Sequence, residues 1–284
     1  MPAIFVIGFF MFIPILIIVT YSLLEANPYG GVNWNLTTEA YTKILYERDL
    51  FDEISFNSAY LVIIFRSIWI ALITVILCLV AGFPVAYYIA IQPPSRRNFL
   101  ILLITVPFWT NLLIRTYSWI LVLRDTGLVN NSLQVFGITD TPVKLLYTEG
   151  AIALGLIYTY IPFMILPIYA SLERLDVKLI EASRDLYATR WITLRKIILP
   201  LSMPGIVAGS ILVFIPALGA FIAPELLGGG QKLMLGSLVQ LQFSSARNWP
   251  FGSALAVIIL IVVMLALMLY ARNAHKNNSE GTIH

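Results

Sequence analysis

Charged residues are scarce in this chain. Lys, Arg, Asp and Glu make up 12% of its 284 residues, whereas they make up about a quarter of a typical soluble domain. Hydrophobic residues make up 59%, and the mean hydropathy is +0.87. One globular core cannot bury this much apolar side chain, so the excess must face lipid. The net charge of +3 includes no dense run of Lys and Arg, so we expect no nucleic acid partner.

Cysteine and histidine are nearly absent as well. Cys78 is the single cysteine, so the chain cannot form an internal disulfide, and no second thiol or imidazole lies near it to bind a metal. Both histidines, His275 and His284, lie in the polar C-terminal tail. No glycine-rich sequence of the form GxxxxGKS is present, so any ATP must be bound by another chain. We therefore expect no catalytic residues, metal ligands or bound cofactor in this chain.

Long apolar runs are what the sequence does have. A membrane-spanning helix needs about 20 mostly apolar residues, and six stretches meet that requirement. We predict an all-α membrane protein, a bundle of six transmembrane helices forming one domain over residues 1–284, with a polar tail at 272–284. The predicted spans are residues 3–24, 60–91, 99–123, 151–172, 206–227 and 251–271, each to within a few residues.

The distribution of Lys and Arg predicts the orientation. If both termini are cytoplasmic, the inner loops carry ten of the eighteen basic residues and the outer loops carry six. Cytoplasmic loops are enriched in Lys and Arg, so we predict a multi-pass protein with both termini inside.

Two arginines lie within or beside predicted spans. An intramembrane cation is costly and usually faces protein or water. Arg66 lies near the outer end of its span, where it can extend towards the interface. Arg115 lies close to Asn111 and Tyr117, and two roles stay open for it: a structural partner of another helix, or a residue of a transport pathway.

The longest basic stretch on the predicted inner side is the 173–204 segment, which runs from Glu173 to Pro204. Its apolar residues recur at helical spacing, and Asp176 can cap a helix start by accepting a bond from a free backbone N–H. We predict a cytoplasmic helix-turn-helix that stops at Leu199-Pro200. The alternative is an amphipathic helix resting on lipid, which the carboxylates of the segment fit less well.

The residue order in this segment resembles the EAA loop of binding-protein-dependent ABC importer permeases. That pattern is Glu-Ala-Ala, three residues, Gly, nine residues, Ile, one residue, Leu-Pro, and the chain matches its spacing without a gap. Two positions differ, since Ser183 replaces Ala and Tyr187 replaces Gly. If the Gly serves a left-handed turn, a Tyr there costs about 1 kcal/mol. The pattern falls on Glu181, Ala182, Ser183, Tyr187, Ile197, Leu199 and Pro200, and all but Ser183 and Tyr187 have the expected residue.

The resemblance implies a type I ABC importer permease fold and a coupling role for this segment. In that family the loop docks into a cleft on a cytoplasmic ATPase, as a short helix in a groove. Glu181, Arg184 and Asp185 would pair across the interface, and Ala182 would allow close approach. ATP and Mg²⁺ would then be bound by the partner subunits, and this chain would perform no chemistry.

Further stretches resemble the spermidine/putrescine permease family, in particular its larger, PotB/PotH-type member. The resemblance covers roughly residues 55–272. It implies a bacterial inner-membrane location, a second homologous permease subunit, two copies of a cytoplasmic ATPase, and an extracytoplasmic binding protein that docks on loops 24–57 and 124–149. The stretches are residues 106–117, 160–176, 200–221, 224–229 and 247–254.

A polyamine substrate calls for carboxylates and aromatic faces, because ammonium groups pair with both. Glu225, beside Pro224, is the carboxylate we place at the mouth of the pathway. A solvated loop residue is the alternative, as an interfacial aromatic belt is for the rings. The other candidates for the path are Trp109, Asn111, Arg115, Tyr117, Tyr158, Tyr160 and Phe221.

Other solutes and mechanisms remain as alternatives. Relatives of this type often carry a Glu where this chain has Ala220, which weakens a polyamine path on this subunit. Importers of iron, sulfate, molybdate or amino-acid-like solutes share the same loop. An ion-gradient-driven transporter would need acids inside its spans, and the predicted span interiors contain none.

Overall fold

The computed structural model describes residues 2–48 and 54–280 and is mostly helical. Residues 281–284 of the predicted tail, and Asp49, Asp52 and Glu53 of the first predicted outer loop, lie outside the described residues. The elements are α1 (Pro2–Ser22), β1 (Leu24–Ala26), β2 (Val32–Leu36), α2 (Glu39–Thr42), β3 (Tyr46–Arg48), β4 (Ile54–Phe56), α3 (Ala59–Ala90), α4 (Pro94–Thr105), a 3₁₀ turn (Val106–Trp109), α5 (Leu112–Leu123), α6 (Leu128–Val135), α7 (Glu149–Glu173), α8 (Val177–Asp185), α9 (Arg190–Thr193), a π turn (Leu194–Ile198), α10 (Leu199–Leu218), α11 (Ile222–Gly228), α12 (Leu235–Ser244) and α13 (Trp249–Glu280).

Within the described residues, four helices are long and apolar enough to cross a membrane. They are α3, α7, the continuous helix Arg190–Leu218, and the part of α13 from Trp249 to Met268. A bent pair between Pro94 and Val135 gives a fifth if it is counted as one span, and α1 contains a shorter apolar helix. Helices α3 and α7 agree closely with the predicted spans 60–91 and 151–172, while the total of six spans stays a prediction.

The predicted third span, 99–123, is not one straight helix. The helical stretches Pro94–Trp109 and Leu112–Val135 meet at a bend of 88°. The 3₁₀ turn contains Pro107, which has no N–H to donate, and Thr110 continues it in an extended conformation. The Asn111 side chain then accepts a bond of 2.8 Å from the Leu113 N–H and so begins α5 as an N-cap. Because the apolar run continues through the bend, composition alone predicted one helix.

The predicted fifth span, 206–227, is also corrected. Its helix begins at Arg190 and ends at Leu218, so Leu199-Pro200 is not a helix stop. At that point the Leu199 N–H donates to the Leu194 carbonyl, five residues back. This wider π turn accommodates Pro200, which has no N–H of its own. Residues 219–221 separate α10 from α11, although the apolar composition continues to Leu227.

The chain forms two compact units. One combines the residues up to Ile68 with Leu218–Pro224 and the residues from Leu233 onward, and the other combines Trp69–Ala217 with Glu225–Lys232. In the first unit α1 and α12 pack on α13, and β1–β2 and β3–β4 are antiparallel hairpins.

In the first unit, the start of α12 is fixed by a side chain of α3. The Leu235 N–H donates to the Ser67 Oγ at 2.7 Å, and both residues are buried. The neighbouring Met234 N–H donates to the Ser237 Oγ at 2.9 Å. These bonds satisfy N–H groups that a helix start leaves without an intrahelical partner.

In the second unit, α7 lies at the centre of the core. Met164, Ile165 and Ile168 of α7 are buried in one cluster with side chains of α3 and α10, such as Cys78 and Val213. Helix α10 approaches α7 closely because small residues line the contact. A Cβ atom added at Gly205 would lie 2.4 Å from the Pro167 carbonyl oxygen.

This contact predicts the effect of Gly205→Ala. The added methyl group would meet backbone atoms that cannot rotate away, so α7 and α10 must separate, at a cost of about 1–3 kcal/mol. We expect a lower thermal unfolding midpoint for the purified protein in detergent. Gly8→Ala in α1 is the control, because nothing lies within 4 Å of the Cβ position there. Equal midpoints for the two variants would contradict the close approach.

Candidate functional site

Helix α8 begins as predicted in the 173–204 segment. Asp176 is its N-cap, and the carboxylate accepts a bond of 3.0 Å from the Lys178 N–H. The helix runs to Asp185 and is followed by a turn and by α9, which begins at Arg190. The segment is therefore a helix-turn-helix, as the sequence predicted, but its second helix continues through the π turn into α10.

The turn between α8 and α9 places Tyr187 in the left-handed region, with φ of +56°. The Tyr187 N–H donates to the Arg184 carbonyl at 2.9 Å, and the Ala188 N–H donates to the Ser183 carbonyl at 3.0 Å. These two bonds form a Schellman motif, in which the left-handed position is usually Gly. The structure thus explains the Gly of the family pattern, and Tyr187 occupies that position at a steric cost.

Ser183 joins the two helices of the segment. Its Oγ lies 3.0 Å from the Thr193 Oγ1, and both residues are buried. The Thr189 Oγ1 accepts a bond of 3.4 Å from the Ile192 N–H and caps α9. Replacement of Ala by Ser at position 183 therefore adds a hydrogen bond between the helices. Sequence reasoning missed this role, because it depends on Thr193 lying opposite.

An exposed surface surrounds the turn, and we call it the tip surface. Its polar members, Glu181, Arg184 and Asp185, are exposed, as is Ala182. Three large apolar side chains accompany them: Leu186 is 82% exposed, Tyr187 95% and Trp191 68%. Leu186 and Trp191 were not among the predicted site residues, although an apolar residue in a polar turn was a signal for them. Leu199 and Pro200 are exposed too, but lie on the helix beyond the π turn.

A second candidate region, for the solute path, lies in the second unit. Three aromatic side chains and one arginine contact one another there in series. The ring centroids of Phe108 and Phe163 are 5.3 Å apart, and those of Phe163 and Tyr160 are 6.3 Å apart. The Arg115 guanidinium lies 6.0 Å from the centroid of Phe108. The structure thus connects two predicted residues, Arg115 and Tyr160, through two phenylalanines that the sequence analysis did not select.

Tyr160 also satisfies a backbone group near a helix end. Its hydroxyl donates to the Pro216 carbonyl at 3.2 Å, two residues before α10 ends at Leu218. The Arg115 Nε, in contrast, is buried and has no hydrogen-bond partner among the described residues. Arg115 is therefore a cation beside the ring of Phe108 with one donor unused.

The remaining candidates lie elsewhere. Tyr158 packs edge-on against Trp119 at 5.6 Å, while within the described residues no ring contact joins Trp109 or Tyr117 to the Phe108–Phe163 pair. Asn111 is the α5 cap described above. Glu225 is exposed in the first turn of α11.

Phe221 belongs to the first unit and lies exposed in the break between α10 and α11. Within the described residues, no group of His, Cys, Asp and Glu could hold a metal ion.

A family model and several known proteins match this chain in sequence. A family model described as "Binding-protein-dependent transport system inner membrane component" matches residues 45–277. The spermidine/putrescine transport system permease protein PotB of Escherichia coli K12 is 38% identical over 271 residues, which cover 95% of this chain and 94% of that protein. The permease protein PotC of the same system and organism is 34% identical over 126 residues, which cover 42% of this chain and 46% of PotC.

A solved structure shares the fold. It is a bacterial alginate ABC transporter in complex with its alginate-bound periplasmic protein. The TM-score is 0.72 with 16% sequence identity, and the match covers 94% of this chain and 89% of that chain. The predicted fold class, a helical ABC importer permease, is confirmed.

The strained turn predicts the result of Tyr187→Gly. Glycine adopts positive φ without a steric penalty, so we expect the turn to become more stable by about 1 kcal/mol. Hydrogen exchange of the Tyr187 and Ala188 amides, which close the turn, should slow accordingly. Tyr187→Ala is the control, because it removes the ring and keeps the strain. Faster exchange in the Gly variant would show that the Tyr ring, rather than the backbone, stabilises the turn.

Proposed function

This chain belongs to the family of binding-protein-dependent transport system inner membrane components, and from that premise we propose that it forms the translocation path for polyamines in an ATP-driven importer. The observation that carries the choice of solute is the 38% identity to a spermidine/putrescine permease over 95% of the chain. The family is a membrane component of transport systems, so the chain is a transport subunit and not an enzyme.

The tip surface is the part of the chain that we assign to the ATPase. A compact helix with exposed charges of both signs and three exposed apolar side chains suits a groove on a partner. Glu181 and Asp185 would accept bonds from the partner, and Arg184 would donate them. ATP and Mg²⁺ are then bound by two copies of that partner on the cytoplasmic side, and this chain binds no cofactor itself.

A second permease completes the path. The match to PotC over 126 residues supports a paired, homologous subunit.

A binding protein docks on the opposite side, on residues 24–57 and 124–149. The second of these loops is internally braced, since Asn130 is buried and its side chain bonds both the N–H and the carbonyl of Val143, at 2.8 and 3.0 Å. Both termini are then cytoplasmic.

The ring contacts give the polyamine path a physical basis. Aromatic faces attract ammonium groups, with a contribution of about 0.5–2 kcal/mol each, and Phe108 already faces one cation, Arg115. Glu225, exposed at the start of α11, is the carboxylate that would attract a polyamine to the path. Ala220 leaves no acid where relatives of this type often carry one, so further carboxylates for a polyamine would have to come from the partner permease.

One observation favours a second class of solute. The Arg115 Nε is buried with no partner among the described residues, and an unused cationic donor beside a path suits an anion such as sulfate or molybdate. This alternative keeps the importer and changes only the solute.

Uptake by the reconstituted importer tests the proposal. Vesicles would contain this chain, its paired permease and the ATPase, with the binding protein outside and ATP inside. We expect uptake of labelled spermidine that requires ATP and is reduced by unlabelled putrescine but not by sulfate. An ATPase without its Walker lysine is the control. ATP-dependent uptake of another solute alone would discard the polyamine, and no ATP-dependent uptake of any solute would discard the importer.

Reversal of one charge on the tip surface tests the docking role. Glu181→Lys should leave the chain folded, because the side chain is exposed, but should reduce ATP-driven uptake about tenfold or more through loss of a charged contact at the interface. Glu280→Lys is the matched control, since it makes the same change in the tail on the same predicted side. Normal uptake by the Glu181 variant would contradict docking through this surface.

A further inference from the structure

Arg97, in the first turns of α4, contacts three separate parts of the second unit. Its Nη1 donates to the Glu173 Oε1 at 2.9 Å, at the end of α7. Its Nη2 lies 3.0 Å from the Ala90 carbonyl, at the end of α3, and 3.4 Å from the Gln92 carbonyl. We call these contacts the Arg97 bridge.

The aromatic ring of Tyr169 lies beside the bridge. The Arg97 guanidinium carbon is 6.0 Å from the centroid of that ring, which is one turn before Glu173 on α7. The guanidinium therefore meets both a carboxylate and an aromatic face of the same helix end, and it donates to carbonyls of the preceding helix and link. Only a planar fork of several donors can serve these groups together.

The position of the bridge relates it to the tip surface. Glu173 ends α7, and only Arg174, Leu175 and Asp176 separate it from α8. The 173–204 segment has two backbone connections to the spans, through this short link to α7 and through the π turn to α10. Helices α3 and α4 have no such direct connection, so their ends are joined to the segment through side chains.

The Arg97 bridge is expected to contribute little to the free energy of folding. The Arg97 and Glu173 side chains are 22% and 45% exposed, and ion pairs with this much solvent contribute little to folding. What the bridge does fix is geometry, because one guanidinium sets the ends of α3, α4 and α7 relative to one another. Apolar side chains of α4 and of the segment, such as Leu100 and Leu175, also pack on the common core. Apolar contacts are not directional, so they permit small shifts between helices that would break hydrogen bonds.

We propose that Arg97 is a positioning residue that transmits movement of the 173–204 segment to α3 and α4. When a partner displaces the segment, the end of α7 moves with it, and the Arg97 bridge carries the ends of α3 and α4 along. Without the bridge, α7 and α10 follow the segment while α3 and α4 lag behind. The transport consequence of this inference rests on the proposed function as an ATP-driven importer.

The decisive variant is Arg97→Lys. Lysine keeps the positive charge on the predicted inner loop, so membrane orientation is preserved, and it still pairs with Glu173. A single ammonium group cannot, however, reproduce the fork to the Ala90 and Gln92 carbonyls. Glu173→Gln is the second variant and removes the charge at the α7 side of the bridge.

A matched control lies at the other end of α7. The Lys232 Nζ is 3.7 Å from the Glu149 Oε1, at the start of that helix, and the Lys232 and Glu149 side chains are 40% and 44% exposed. Lys232→Gln thus removes an ion pair from the same helix and the same unit but far along α7 from the segment.

The first measurement is solute taken up per ATP hydrolysed by the reconstituted importer. We expect Arg97→Lys and Glu173→Gln to assemble and hydrolyse ATP but to lower this ratio by about fivefold, near the low end for coupling between distant sites. Lys232→Gln should keep the wild-type ratio. An unchanged ratio for Arg97→Lys would overturn the proposal, and so would parallel losses of uptake and hydrolysis explained by poor assembly.

The second measurement needs no solute, so it separates this inference from the proposed transport of polyamines. In a Cys78→Ala background, spin labels at Ser95 on α4 and Lys178 on α8 report their distance by pulsed electron resonance, with and without ATP bound to the assembled complex. We expect the same distance in both states for the intact bridge and a shift of a few ångströms or more for Arg97→Lys. A shift of equal size with the bridge intact would overturn the proposal, even if polyamine uptake is normal.

Discussion

The structure depends on one constraint, which is that backbone polar groups in lipid must be satisfied within the protein. Helix interiors meet this condition by themselves, so the critical points are the places where helices bend or end. The Asn111 side chain accepts a bond from the Leu113 N–H where the third predicted span bends, and the Tyr160 hydroxyl donates to the Pro216 carbonyl near the end of α10. The π turn before Pro200 solves the same problem through backbone geometry alone. Each of these three points in the described residues is therefore accompanied by a specific side chain or turn.

One of these side chains, Tyr160, also belongs to the ring contacts of the proposed path. Tyr160 and Arg115 are both connected to the Phe108–Phe163 pair, and Phe108 belongs to the 3₁₀ turn at the bend. Proteins tolerate irregular backbone at membrane depth where it lies inside protein or lines a cavity. The proposed path therefore runs past a bend that has aromatic rings and an arginine close together.

The 173–204 segment shows how departures from a family pattern are accommodated. Ser183 adds a bond to Thr193 between the two helices, while Tyr187 accepts left-handed strain in a turn that two backbone bonds still close. An extra bond on the inner side of the helix pair and strain at its exposed end have opposite effects on stability. The ring of Tyr187 extends outward with Leu186 and Trp191, so the strained position also places an aromatic group on the tip surface.

The sequence by itself determined that this chain enters a membrane, where the spanning helices α3 and α7 lie, and where the α8 cap and the charged residues of the tip surface lie. These features follow from composition, helical spacing and local capping, which act over a few residues. Only the tertiary structure decided where apolar runs break, since the bend at Asn111 and the end of α10 lie inside runs of uniform hydropathy. It alone joined Arg97 to Glu173, and Ser183 to Thr193, because these pairs meet through the packing of helices that the sequence keeps apart.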